Sequence, residues 1–336
     1  MTSTVYLSGG RARTRPSSND EWRYYEKGVI VRLDLDTGEG DVAFEYESPP
    51  ECCPNDEPSI VFKAGSRSGD TLFMCTQTEV LELKLPTCEL VRHISLPSFN
   101  DVHHVFLSPK DTLFVVSTGL DLVLELTRTG ELIAEYPTLP EEPFTKFDRE
   151  VDYRKVPTTK PHRTHPNYGF WYQGSPWATR LEQRDAVRLD NLDERMNIGV
   201  QLPHDGVVVG DKVYFTLVDG RIAAFDAAKG FDETARIWNI FGIGAQRSPF
   251  GWCRGLKVLD GGKRALVGFS ALRSTKIKRN VGWVREQIKQ GFSLRSLRNR
   301  RVPLGTKFLM VDLETNEILR AYNLEPFGMD AVFSIT

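Results

Sequence analysis

His103-His104-Val105-Phe106-Leu107, Ser108-Pro109-Lys110-Asp111, Thr112-Leu113-Phe114-Val115-Val116-Ser117, Leu122-Val123-Leu124-Glu125-Leu126, Thr129-Gly130-Glu131 and Leu132-Ile133-Ala134-Glu135-Tyr136 follow one another along a single stretch of chain. The apolar runs are short and rich in Val, Leu and Phe. The segments between them carry Pro, Asp, Thr and Gly. β-branched, aromatic and Leu-rich runs bounded by such residues read as strands joined by tight turns. The stretch therefore predicts four consecutive strands.

The same pattern recurs. Ser59-Ile-Val-Phe62, Thr71-Leu-Phe-Met74, Val80-Leu-Glu-Leu83 and Thr87-Cys-Glu89 form a second copy. Gly206-Val-Val-Val209, Val213-Tyr-Phe-Thr216 and Arg221-Ile-Ala-Ala-Phe-Asp226 form a third. Gly255-Leu-Lys-Val-Leu259 and Ala265-Leu-Val-Gly268 begin a fourth, which resumes at Phe308-Leu-Met-Val-Asp312 and Ile318-Leu-Arg-Ala-Tyr322. Four-stranded units of about 40–45 residues are the signature of β-propeller blades. A fifth unit is split between the ends. Val5-Tyr-Leu-Ser8, Val29 to Leu35 and Val42-Ala-Phe-Glu45 lack an inner strand, and Asp330-Ala-Val-Phe-Ser-Ile335 is an inner strand without a blade. Joining them closes a ring and removes exposed sheet edges. The expectation is an all-β, five-bladed propeller spanning 1–336 as a single domain. The alternatives are a β-sandwich, or a six-bladed ring with a degenerate blade hidden in 141–200. Length alone, at about 150 residues per domain, would have suggested two domains.

With these units in view, the chain resembles the broad propeller superfamily of quinoprotein-like, NHL-like and strictosidine-synthase-like proteins. Trp252-Cys-Arg-Gly-Leu-Lys-Val258 and Ala265-Leu-Val-Gly-Phe-Ser270 resemble a recurrent blade of uncharacterised bacterial propellers. The resemblance implies a fold. It lends no catalytic residue to any position, because the fold hosts enzymes, lectins and scaffolds alike.

Two segments break the pattern. Residues 138–200 hold six prolines between Pro140 and Pro176, and aromatic clusters at Tyr168, Phe170, Trp171, Tyr172 and Trp177. They read as an ordered cap across one face. Residues 273–303 read as a second insertion. Of the chain's 43 basic and 45 acidic residues, ten basic and one acidic fall within 273–301, so the remainder carries a net charge of −11. The apolar spacing over 281–301 predicts a basic amphipathic helix. Such a helix can dock an anionic partner or pack on the acidic remainder of its own chain.

No run of roughly 18 apolar residues is present, so no transmembrane helix is expected. The start, Met1-Thr2-Ser3-Thr4-Val5-Tyr6, lacks a signal-peptide pattern, and five irregularly spaced Cys suggest reduced thiols in a cytoplasmic protein.

The candidate site follows from the strand starts. Inner strands of a propeller converge on a central channel, and their first residues ring its mouth. Those starts are Ser59, His103-His104, His204-Asp205, Arg254 and Asp330, with Asp101 just ahead of the second. Three of the six His fall there, and two more, His162 and His165, lie in the 138–200 segment. Imidazole suits acid–base work or metal ligation. His103, His104, His204, Asp330 and Arg254 are the expected catalytic set. His162, His165, Tyr168, Trp171, Trp252 and Ser59 are expected to bind substrate. His103, His204 and Asp101 are the candidate ligands of one divalent metal ion. Adjacent His103 and His104 on a strand point to opposite faces, so only one can face the channel. Each His or Asp can equally hold blades together. Arg254 suggests an anionic small-molecule substrate. The function expected is a propeller enzyme of lyase, cyclase or hydrolase type. The alternative is a non-catalytic scaffold that binds a partner through the basic helix.

Overall fold

A computed structural model describes residues 4–15, 17–18, 20–232, 236–240, 251–271 and 305–336. Among them, every sheet has four antiparallel strands and there are six sheets. The first blade comprises Thr4–Ala12, Tyr25–Asp34 and Gly40–Tyr46, completed by the C-terminal Ala331–Ile335. The second is Ser66–Ser68, Thr71–Cys75, Val80–Lys84 and Glu89–Ile94, and the third is Val102–Leu107, Leu113–Ser117, Leu122–Leu126 and Leu132–Pro137. The fourth is Pro166–Tyr172, Ser175–Arg180, Asp185–Arg188 and Asn191–Asn197. The fifth runs through Pro203–Val209, Lys212–Leu217, Arg221–Asp226 and Arg236–Asn239. The sixth runs through Trp252–Leu259, Arg264–Ser270, Lys307–Asp312 and Glu317–Asn323. The chain is a six-bladed β-propeller, not a five-bladed one.

The missing blade lay inside the supposed cap. Phe170, Tyr172 and Trp177 do not belong to a cap. They form, with Val213, Phe215 and Phe225, the core between the fourth and fifth blades. Gln173 and Gly174 both have positive φ, 48° and 80°, which makes the tight two-residue turn between its first two strands. Only 138–165 remains as a crossing segment. The basic helix expected at 281–301, and the 273–303 insertion around it, lie outside the described residues. Among the described residues, helical elements are single 3₁₀ turns of three residues.

The middle strands are apolar without alternation because both of their faces are buried. Leu113 and Val115 pack toward the second blade, and Phe114 and Val116 toward the fourth. Val29 and Val31 pack toward the sixth blade, and Ile30 toward the second. Successive strand residues point to opposite faces, so one run feeds two interfaces. Six such interfaces close the ring, the last joining Leu266, Phe308 and Met310 to Val5, Leu7 and Val29.

Closure depends on a close backbone approach. Tyr6 and Thr336 exchange both backbone hydrogen bonds, 3.0 and 2.9 Å, and the register shifts between Ser8 and Gly9. A Cβ on Gly9 would sit 1.7 Å from the Ala331 carbonyl oxygen. Gly9→Ala is therefore expected to unseat the C-terminal strand and to destabilise the fold by about 3 kcal/mol or more. Thermal unfolding with proteolysis of the C-terminal residues measures this; a melting temperature equal to wild type would refute it.

Candidate functional site

At the end of the ring where inner strands begin, a cavity of about 490 Å³ opens. Its wall includes His103, His162, His165, His204, Trp252 and Arg254, with Glu21, Lys160 and Glu182 also lining it. Four of the chain's six histidines thus share one cavity, brought from two blades and the crossing segment.

Each imidazole is placed by its own strand or turn. His103 is the second residue of the third blade's inner strand, and its Nδ1 lies 2.7 Å from the Asp101 carbonyl oxygen. An Nδ1–H donated to a carbonyl leaves Nε2 as an acceptor. Its ring is 5.2 Å from that of His165 and 6.1 Å from that of His204. His162 and His165 are joined Nδ1 to Nδ1 at 2.7 Å. Their turn is gripped by Asp121, whose carboxylate accepts the backbone N–H groups of Arg163, Thr164 and His165 at 2.8–3.0 Å. Asp101 and His165 both hold left-handed backbone, with φ 48° and 52°. Strained backbone of this kind persists where surrounding contacts over-determine it.

His204 is 94% buried, yet its Nδ1 has no hydrogen-bond partner among the described residues. Such a group is uncommon in a folded interior. Burial, then the Arg254 charge, hold the His204 pKa well below the ordinary imidazole value. Burial and Lys63 do the same to His103, and burial pushes His165 down to about 3. All three are neutral near pH 7. Arg254 lines the cavity, and a second cation, Lys63, lies behind the wall. The Arg254 guanidinium carbon lies 4.2 Å from the Phe333 ring centroid, and Lys63 sits behind His103, its Nζ 3.5 Å from both ring nitrogens. Lys63 also donates to the Asp101 carboxylate. Burial alone would raise the Asp101 pKa, but Lys63 and His103 outweigh it and hold that carboxyl well below its usual range.

Other expected site residues lie elsewhere. His104 faces away from the cavity, accepting the Gly169 N–H at 3.2 Å with its ring 4.6 Å from Tyr168. Burial lowers its pKa to about 3. His104 and Tyr168 tie the third blade to the fourth. Trp171 packs edge-on against Phe114, 5.9 Å between centroids. The Asp330 carboxylate accepts the Ala12 N–H at 2.8 Å, across the ring closure. Ser59 Oγ accepts the Tyr25 N–H at 3.2 Å. The donor atoms of His103, His204 and Asp101 do not gather within 4.8 Å of one another. The residues overlooked from sequence were Lys63, Lys160, Glu21 and Glu182. Lys63 had a signal: it is the lone charge in Ile60-Val61-Phe62-Lys63-Ala64 and is only 2% exposed.

No family model and no curated protein matches the chain. Solved structures do match over nearly its whole length. A protein of unknown function from Bacteroides caccae is 11% identical, with a TM-score of 0.59 over 99% of this chain and 97% of that one. A chain of a nidogen/laminin complex is 10% identical, with a TM-score of 0.56 over 99% and 97%. A putative 6-phosphogluconolactonase from Bacteroides fragilis is 11% identical, with a TM-score of 0.50 over 95% and 82%. At these identities the likeness establishes the β-propeller fold and nothing finer.

Proposed function

We propose that the channel mouth is the active site of an enzyme that acts on a small anionic molecule by imidazole acid–base chemistry, in the lyase, cyclase or hydrolase class. What carries this reading is the partnerless Nδ1 of buried His204 in a wall shared with three more imidazoles. A buried nitrogen that nothing satisfies is poised to accept a proton from, or hydrogen-bond to, a bound molecule. Arg254 and Lys63 favour an anionic group beside them. The same cations hold His204 unprotonated when the cavity holds solvent. An arriving anion offsets their field and raises the imidazole's basicity, so the base becomes effective only beside substrate. His103, whose Nε2 is the acceptor nitrogen and lies 3.5 Å from Lys63 Nζ, is the second proton carrier.

A panel of small carboxylates, phosphate esters and lactones, with uncharged analogues, tests this by NMR detection of products. At least one anionic member should be converted. Arg254→Met should raise KM at least tenfold. His204→Gln should lower kcat by about 10²–10⁴-fold while changing the melting temperature little. Conversion undiminished in His204→Gln, unfolding of that variant, or no conversion and no shift of any imidazole signal across the panel would overturn the proposal.

A further inference from the structure

A second cluster of chemically active side chains lies outside the cavity. Cys52 is in the 3₁₀ turn Pro50–Cys52 that leads from the first blade to the second. Glu79 is in the turn between Thr71–Cys75 and Val80–Lys84. His93 is on Glu89–Ile94, paired with Leu81 beside that turn. One ligand atom from each of these three residues lies within 4.8 Å of the other two. None of the three lines the channel mouth.

The charge accounting at Glu79 points to a cation. Its carboxylate is completely buried. Tyr46 donates to it at 2.7 Å and Thr76 at 2.9 Å, Ser48 also donates, and His93 Nε2 lies 2.8 Å away. Among the described residues no Lys or Arg pairs with it; His93 is its ion-pair partner. Buried carboxylates are ordinarily matched by a full positive charge or a metal. The hydroxyl donors are what a ligating carboxylate requires, since outer groups orient the inner ones. The loop that carries Cys52 is tied down from outside. Lys155 Nζ donates to the carbonyls of Pro50 and Cys53, at 2.5 and 2.9 Å. His93 keeps 29% of its side chain exposed, which leaves an entry path for an ion.

We infer that Cys52, Glu79 and His93 form a binding site for a divalent ion of the zinc class. One thiolate, one imidazole and one carboxylate are a borderline-soft N, O and S set, and three protein donors leave a fourth tetrahedral position for water. On binding, the Cys52 thiol releases its proton to solvent. His93 coordinates through Nε2 with its proton on Nδ1. Thiolate and carboxylate charges then cancel the two charges of the ion. The site would cross-link the first-to-second-blade connection to the second blade's outer strands.

Cobalt(II) is the probe, titrated into the chelator-treated full chain. A thiolate-to-cobalt charge-transfer band should grow, saturate at one equivalent and be displaced by zinc. Cys52→Ser and His93→Asn should abolish the band and weaken binding at least tenfold. Cys53→Ser and His204→Gln should leave both unchanged. His93→Asn also removes the contact to buried Glu79, so its metal-free melting is measured alongside, and loss of the band in a variant that still unfolds cooperatively separates lost ligation from lost fold. Absence of a saturable band, a full band in His93→Asn, or loss of the band in Cys53→Ser would overturn the assignment.

Discussion

Acidification from pH 7.5 to 5 is expected to remove most of the stability of this propeller, in a pH range that lies above the pKa of ordinary carboxylates. Burial is the first cause in each case. It lowers the pKa of His103, His104, His162, His165 and His204 below the imidazole value of 6.5, to about 3 for His104 and His165. The unfolded chain takes up protons on these residues near pH 6.5, and the folded chain does not. Stability therefore falls as pH falls below 6.5, by about 1.4 kcal/mol per pH unit for each residue. Asp205 has the opposite sign. Burial raises its pKa to about 7, against the Gly255 N–H that it accepts, so the folded form gains a proton between pH 7 and 3.8 that the unfolded form does not. That offsets one histidine. Lys63 and Arg254 resist protonation of the imidazoles at the mouth, and Asp101 opposes them only in part. The net loss by pH 5 is about 5 kcal/mol or more, comparable with the entire stability of many domains. Urea unfolding at half-unit pH intervals measures it. His104→Gln, which removes an imidazole outside the cavity, should flatten the slope by about one residue's share. A flat profile from pH 7.5 to 5 would show that these imidazoles are protonated in the folded state.

What could be read in advance follows from how blades pack. Leu113-Phe-Val-Val116 and Val29-Ile-Val31 are legible as strands because each feeds two blade interfaces and tolerates no polar residue. The split blade is legible for the same reason: the N-terminal runs form three strands that lack an inner one, and Ala331-Val-Phe333 is an apolar run without a local partner. The fourth blade was concealed by its chemistry. Pro176 lies within its second strand, a position that normally argues against sheet. Its hairpin turns at Gln173-Gly174, a weaker signal than Asn-Gly. Of the aromatic residues expected at the pocket, Trp252 lines the cavity, whereas Tyr168 and Trp171 pack between blades.

The site was partly legible for a geometric reason. Inner-strand starts converge at one mouth, so the positions of His103, His204 and Arg254 followed once the strands were aligned. Side-chain direction did not follow. His103 and His104 differ by one residue and therefore by a face, and sequence offers no parity for a strand that begins in a loop. Asp330 sits at a strand start, yet its carboxylate turns to the Ala12 N–H. Lys63 lies midway along an inner segment, where attention to strand starts could not find it.

Lys63→Met is expected to lose about 3–5 kcal/mol, because it leaves the Asp101 carboxylate buried without its counter-charge. The two side chains are 3% and 17% exposed, so solvent cannot replace the pairing. The single variant confounds lost pairing with lost packing; the double variant Lys63→Met/Asp101→Asn separates them. Asn tolerates the left-handed backbone that Asp101 holds, and it carries no charge to strand. Most of the lost stability should return in the double variant. The pH dependence supplies a second readout. In the wild type Lys63 keeps the Asp101 pKa low, so that stabilisation is present above about pH 3.8 and is lost only as pH falls through the lowered value. Without Lys63, burial dominates and raises the Asp101 pKa. The folded variant then takes up a proton at a higher pH than the unfolded chain does, and its deficit relative to wild type should narrow as the solution is acidified. His103 should change as well, since removing the Lys63 charge relieves one of the two main causes of its low pKa. An NMR titration of the His103 imidazole should move toward 6.5 in Lys63→Met, where Asp101 is still present to raise it. If the double variant is no more stable than Lys63→Met, and the His103 titration is unmoved, then Lys63 acts through its aliphatic stem alone and contributes no field to the channel mouth.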